Sequence, residues 1–262
     1  MSRLDELDAL YARLGDLCHV AERGEMAIGS FLSPRELYFA SKHLRHLGIH
    51  AWAYGGYDTA ERCRLYFLPE YMETASSAEE LEAYGYSAEI STLEIRGSGY
   101  RKLTHRDFLG ALLGLGLERS VVGDICLIDE DGTRAYVWLD RSMEAFVCGE
   151  LTKVANDTVK VKRIELPSDF APIRRMVPLH DTVVSPRLDA VVASLCSLSR
   201  EQARVTVQSG LVELNYETEE RGDCMVCAPA LISVRGIGKF RVLAVSDLTK
   251  KGRIRLEAEK YL

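Results

Sequence analysis

No run of apolar residues in the chain approaches the roughly 20 that a membrane helix needs. The first eight residues, Met1-Ser2-Arg3-Leu4-Asp5-Glu6-Leu7-Asp8, lack the basic start and apolar core of a secretory signal, so a cytoplasmic protein is expected. A disulfide framework is missing as well. The seven cysteines are odd in number, and only Cys224-Met225-Val226-Cys227 has ligand-like spacing. Tetrahedral zinc usually takes two such pairs; no second pair exists and no His-x3-His follows, so neither a metal nor a cofactor is expected. Nor is there an excess of positive charge: 33 Lys and Arg stand against 39 Asp and Glu, a net charge of -6. The distribution is uneven, however. Residues 181–262 carry 12 basic against 11 acidic groups, and residues 1–180 carry 21 against 28. An acidic average leaves room for a local basic face, and such a face attracts phosphate.

What is present is ordinary globular composition, 47% hydrophobic and 27% charged, enough to bury real cores. The pattern predicts a multi-domain α+β chain. In residues 1–75, Leu4, Leu7, Leu10, Tyr11 and Leu14 recur at helical spacing. Ser33-Pro34-Arg35-Glu36 carries the cap, first-position proline and returning carboxylate of a second helix, which ends near Gly48. Strands are expected at 49–54 and 64–69. In residues 76–165, strands at 87–95, 124–128, 133–139 and 158–164 alternate with helices opened by Thr104 and by Ser142. That alternation gives one helical layer on one sheet, compatible with an RNA-recognition-motif-like fold, although no aromatic RNP signature is evident. Three prolines between 167 and 178 suggest a linker over 166–180.

The last block, 181–262, begins with Ser185-Pro186-Arg187-Leu188-Asp189, read as a helix start capped by Ser185. Ser199-Arg200-Glu201-Gln202 is a capping box. Arg200 and Arg204, four apart, share a helical face, and Gly210 closes that helix. A strand follows at 211–215, and Ile232–Phe240 turns through two glycines into another strand.

These residues resemble the S-four-type RNA-binding domain, named after a ribosomal small-subunit protein. The likeness lies in Arg187-Leu188-Asp189, then Ser199-Arg200 with Ala203-Arg204, then Gly210 to Asn215, then Ile232-Ser233-Val234-Arg235-Gly236 through Lys239-Phe240. It covers about 60 residues. The chain departs from it where Pro229-Ala230-Leu231 replaces the usual Gly-Asp, at Tyr216 after Asn215, and in the acidic stretch Glu217–Asp223. The resemblance implies an RNA-facing pair of helices on a small sheet, with Arg187, Ser199, Arg200, Gln202, Arg204, Asn215, Arg235 and Lys239 as RNA-binding residues. The basic ones among them are expected to contact phosphate from one face, because arginine forks match phosphate geometry.

The stretch Gly99–Arg119 is similar to the middle of YlmH-like bacterial proteins, and the likeness extends over most of the chain. It implies a ribosome-associated role; members have been connected to rescue of stalled large subunits carrying peptidyl-tRNA. Arg101, Lys102, His105 and Arg106 cluster at a helix N-terminus, an anion-favouring place, and form a candidate second RNA contact. His105 and Asp107 are i and i+2 and do not face each other, so no catalytic dyad is expected. The glycines at 110, 114 and 116 lack the Gly-Lys-Ser/Thr of a phosphate loop. The reading is therefore a monomeric, non-enzymatic factor with no catalytic residues. It would bind ribosomal RNA or tRNA, with the large ribosomal subunit as partner. The alternative is an RNA-modifying enzyme, a pseudouridine synthase or methyltransferase, that uses the C-terminal domain for docking. A structural protein that offers its acidic N-terminal face to another protein is a third class, compatible with the first.

Overall fold

In the computed structural model, residues 3–72, 74–167, 169–173, 176–248 and 252–261 are described. The chain divides into two compact units, 1–173 and 174–262.

The first unit opens with α1 (Arg3–Glu22), β1 (Ala27–Ile28), α2 (Pro34–Leu47), β2 (Trp52–Tyr54) and β3 (Arg64–Phe67). The three strands form an antiparallel sheet in the order β1-β3-β2. Leu10, Leu14 and Cys18 of α1 pack with Ala40 and Leu44 of α2 on Leu65 and Phe67. The Ser33–Glu36 capping box forms as the spacing predicts, and Gly48 ends α2 at φ 71°, a backbone state glycine reaches without Cβ strain.

After α3 (Ala78–Ala83) come β4 (Ile90–Gly97), α4 (His105–Gly114), β5 (Val122–Leu127), β6 (Arg134–Asp140), α5 (Glu144–Glu150), β7 (Lys153–Val154) and β8 (Asp157–Arg163). Apart from the two-residue β7, this is a βαββαβ arrangement with antiparallel sheet order β5-β6-β4-β8-β7. Leu93, Ile95, Ala135, Val137 and Val159 face Phe108, Leu112 and Val147 of the helices. Because strand side chains alternate, Glu94, Arg96, Arg134, Tyr136, Trp138, Lys160 and Lys162 occupy the other face.

The sequence suggests a boundary near residue 75, yet the two sheets are joined by a buried polar seam. Asp124 accepts from Tyr57 Oη (2.6 Å), Glu61 N (2.7 Å) and Arg62 N (3.0 Å). Arg62, 8% exposed, donates to the carbonyls of Val122 (2.9 Å), Phe31 (3.2 Å) and Arg119 (2.9 Å). Burial, and secondarily the neighbouring Arg119, push its guanidinium down to about 10, so it stays charged at neutral pH. Arg64 bridges to Asp140 at 3.0 Å. Packing is also close here: a Cβ on Gly56 would lie 2.2 Å from the Trp138 side chain at Cδ1.

The second unit comprises β9 (Met176–Val183), α6 (Leu188–Cys196), α7 (Arg200–Gln208), β10 (Val212–Leu214), β11 (Glu217–Thr218), β12 (Ala230–Val234), β13 (Gly238–Leu248) and β14 (Ile254–Tyr261). Its antiparallel sheet runs β11-β10-β12-β13-β14-β9. Both helices lie on one face, where Leu188, Val191, Val192, Ala203 and Val207 meet Ile232, Phe240, Val242 and Leu256. Two expectations are corrected. Residues 176–180, read as linker, are strand and pair with β14. The proline that suggested a linker, Pro178, sits on an edge strand, where a missing N–H is tolerated. Ser185 is not a helix cap: α6 starts at Leu188, and its first N–H groups, on Leu188 and Asp189, donate to the carbonyls of Cys224 (2.8 Å) and Gly222 (3.0 Å).

Candidate nucleic-acid interface

Asp189, in the first turn of α6, is 3% exposed. Arg187 reaches it through Nε (3.2 Å) and Nη2 (2.9 Å), and Arg200 reaches it from the start of α7 through Nη2 (3.3 Å). Burial pushes the Asp189 carboxyl up; the two guanidiniums more than offset this and hold it below the ordinary range. One buried negative charge thus fixes two arginines whose side chains remain 41% and 51% exposed. The pair carries a net positive charge in a set position, with guanidinium geometry that matches an anion's oxygens. Arg204, one turn beyond Arg200, is held by Glu201 through Nε (3.1 Å) and Nη2 (2.6 Å), so its charge is locally balanced.

Ser199 and Gln202 spend their side chains on each other's backbone. Ser199 Oγ accepts from Gln202 N at 3.2 Å, and Gln202 Oε1 accepts from Ser199 N at 2.9 Å. Asn215 Oδ1 accepts from Leu231 N at 2.8 Å. Asn215 and Tyr216 both take positive φ, 49° and 67°, the conformation of the tightest hairpin turns; asparagine tolerates this with little strain, which accounts for a turn without glycine. These three polar residues therefore shape the backbone at the site.

The expected single basic face divides in two. Phe240 is fully buried under the helices, so its neighbour Lys239 lies on the opposite side of the sheet. There Lys239 Nζ sits 5.5 Å from the Tyr216 ring centre and 5.1 Å from that of Tyr261. Arg241 joins this group, donating to Tyr261 Oη at 3.0 Å. Arg235 is exposed in the turn between β12 and β13.

At the start of α4, Thr104 and Asp107 form a reciprocal capping box. The carboxylate of Asp107 already occupies the helix terminus, and Arg101 lies 3.9 Å from it. Desolvation by neighbouring groups, then the Arg119 guanidinium, hold His105 below the ordinary imidazole range. Arg101, Lys102, His105 and Arg106 are all exposed.

Two clusters escaped sequence reasoning. On the helix-free face of the βαββαβ sheet, the Glu94 carboxylate, 4% exposed, is ringed by Lys162 (3.1 Å), Arg96 (3.3 Å) and Arg134 (3.5 Å), with Lys160 paired opposite Arg96. Burial pushes Glu94 up, and Lys162 and Arg96 hold it lower than usual. Beside it, Tyr136 and Trp138 are covered by Tyr57 and Phe170, with ring centres 4.5–5.7 Å apart. The period-2 placement of Arg134, Tyr136 and Trp138, and of Lys160 and Lys162, was the signal available in the sequence. All seven cysteines are free thiols, and among the described residues no group of three or more His, Cys, Asp or Glu is placed to hold a metal ion. No helix among them is long and apolar enough to cross a membrane.

A multi-domain α+β protein with pre-set arginines on a two-helix face is the class these features define. Comparison with known proteins narrows it. Residues 11–72 match the family description "YlmH, N-terminal", and residues 86–168 match "Putative RNA-binding domain in YlmH". The ribosome-associated protein quality control protein P2 of Bacillus subtilis (strain 168) is 32% identical over 243 residues, spanning 92% of this chain and 90% of that protein. A solved structure, the cell division protein ylmH from Streptococcus pneumoniae, matches at TM-score 0.46 and 20% identity, covering 62% of this chain and 88% of that one. The chain belongs to the YlmH family.

Proposed function

We propose that this protein is a non-enzymatic RNA-binding factor of the cytoplasm. It acts on the large ribosomal subunit in translation or in quality control of stalled ribosomes, through ribosomal RNA, tRNA or both. In this reading residues 174–262 are an S-four-type module and residues 86–168 an RNA-recognition-motif-like domain. The observation that carries it is the Asp189 clamp: a buried carboxylate that orients Arg187 and Arg200 at the meeting of two short helices. Arginines held this way meet phosphate with little ordering cost. The relative's name, which places it in ribosome-associated quality control, and the match to an RNA-binding domain both support the reading. The description of a matched domain as RNA-binding also favours a binding factor over a modifying enzyme.

The test is co-sedimentation with purified ribosomal particles, comparing wild type with Arg187→Glu/Arg200→Glu at low and high salt. Wild type pellets with large subunits, and both the substitutions and salt release it, because phosphate contacts act through counterion release. Wild type left in the supernatant at low salt would sink the proposal.

A further inference from the structure

We infer that the uncovered half of the helix-free face of the β5-β6-β4-β8-β7 sheet is a second RNA contact, built from Arg96, Arg134, Lys160 and Lys162, which grips the phosphodiester backbone and does not stack bases. The inference rests on the RNA-binding reading above and deepens it.

Three observations carry it. The first is charge. Three basic side chains, Arg96, Arg134 and Lys162, surround the Glu94 carboxylate, and Lys160 lies opposite Arg96; no other acidic residue stands among the face positions of β6, β4 and β8 within this half, and Asp129, in the turn before β6, acts on Arg134 alone of the four. Glu94 is buried and hydrogen-bonded, so it serves as an internal tie for three of the cations and leaves the patch strongly positive at its surface. A solvated sheet face without a partner more often alternates signs across strands, because like charges directly opposite each other are destabilising. Here Arg96 lies directly opposite both Arg134 and Lys160. Such like-charge pairing has a cost that a bound polyanion removes.

The second is access. Arg96, Lys160 and Lys162 are exposed, with Arg96 and Lys162 side chains 57% and 66% open. The third is what the other half of the face does. Tyr136 and Trp138 hold positions where a sheet could offer rings to bases, yet both are buried, with Phe170 packed at a tilt against each and Tyr57 against Trp138. The aromatic half is a closed core and the basic half is open. Contacts to phosphate alone give position and affinity without reading sequence, so this face would add grip to whatever the C-terminal arginines select.

The experiment uses the full chain and fluorescently labelled bulk tRNA, titrated across salt concentrations. Lys160 takes no part in the Glu94 cluster, so Lys160→Glu leaves that tie intact; Lys160→Glu/Lys162→Gln removes more charge and is checked by circular dichroism and thermal melting. Affinity falls about tenfold in the double variant, and the slope of log affinity against log salt becomes shallower by about 1–2, the signature of lost phosphate contacts. Affinity for poly-uridine and poly-adenosine falls equally. Unchanged affinity and slope in a folded Lys160→Glu variant, with Arg187→Glu/Arg200→Glu still losing binding, would overturn this inference and spare the function proposed above. Loss of ribosome co-sedimentation with tRNA and ribosomal RNA affinity intact would mark the patch as a contact for an acidic protein, and would overturn it too.

Discussion

Asp189 is the residue that holds the two arginines at the meeting of α6 and α7. Its carboxylate is buried, accepts from two arginines, and lies lower than an ordinary aspartate. The stability it contributes is therefore fully present above its unfolded value of about 3.9, and it is lost as pH falls through the lower folded value. Replacing it by asparagine removes a charge that holds two others. Asp189→Asn is expected to destabilise its unit by about 2 kcal/mol in urea unfolding at pH 7, and to lower RNA affinity although no basic residue has been touched. At pH 3 the gap between wild type and variant narrows. Arg62 makes the same point in the first unit. It is buried with three carbonyl partners, so Arg62→Met is expected to cost about 3 kcal/mol or more, read as a lowered melting temperature.

At the scale of the element, much was legible and the failures have identifiable causes. The capping boxes at Ser33 and Ser199 could be read directly because their partners are three residues away, and Thr104 was read as a cap although its reciprocal bond with Asp107 was not. Ser199→Ala should cost about 1 kcal/mol in chemical denaturation with the helix otherwise kept. Ser185 misled because the first N–H groups of α6 are taken by carbonyls some 35 residues downstream, at Gly222 and Cys224, a long-range solution that local spacing cannot show. Strand β9 was hidden by Pro178, which reads as a breaker unless the strand is known to lie at an edge. The basic set was named from helix spacing and motif order. The side of the sheet from which Lys239 emerges was not considered, although strand alternation with the apolar Phe240 made it derivable.

The whole molecule is two compact units with separate cores. Each is expected to melt in its own transition in calorimetry, with Asp189→Asn lowering one and Arg62→Met the other; a single transition displaced by both substitutions would refute this. The seam of Arg62, Asp124 and Tyr57 explains why the two N-terminal blocks, distinct in sequence, join in one unit. It could not be foreseen because its partners lie about 60 residues apart and look like turn residues on their own.

The pairing of β9 with β14 also bears on synthesis. Chains emerge from the ribosome N-terminus first, at about 5–20 residues per second, so β9 appears long before residues 254–261, the strand that must cover its edge. Until then β9 and β13 both present open hydrogen-bonding edges, and the helices carrying Arg187 and Arg200 rest on a core that lacks Leu256 and Ala258. A nascent chain halted before residue 254 thus displays Arg187 and Arg200 without the completed sheet that supports the helices they flank.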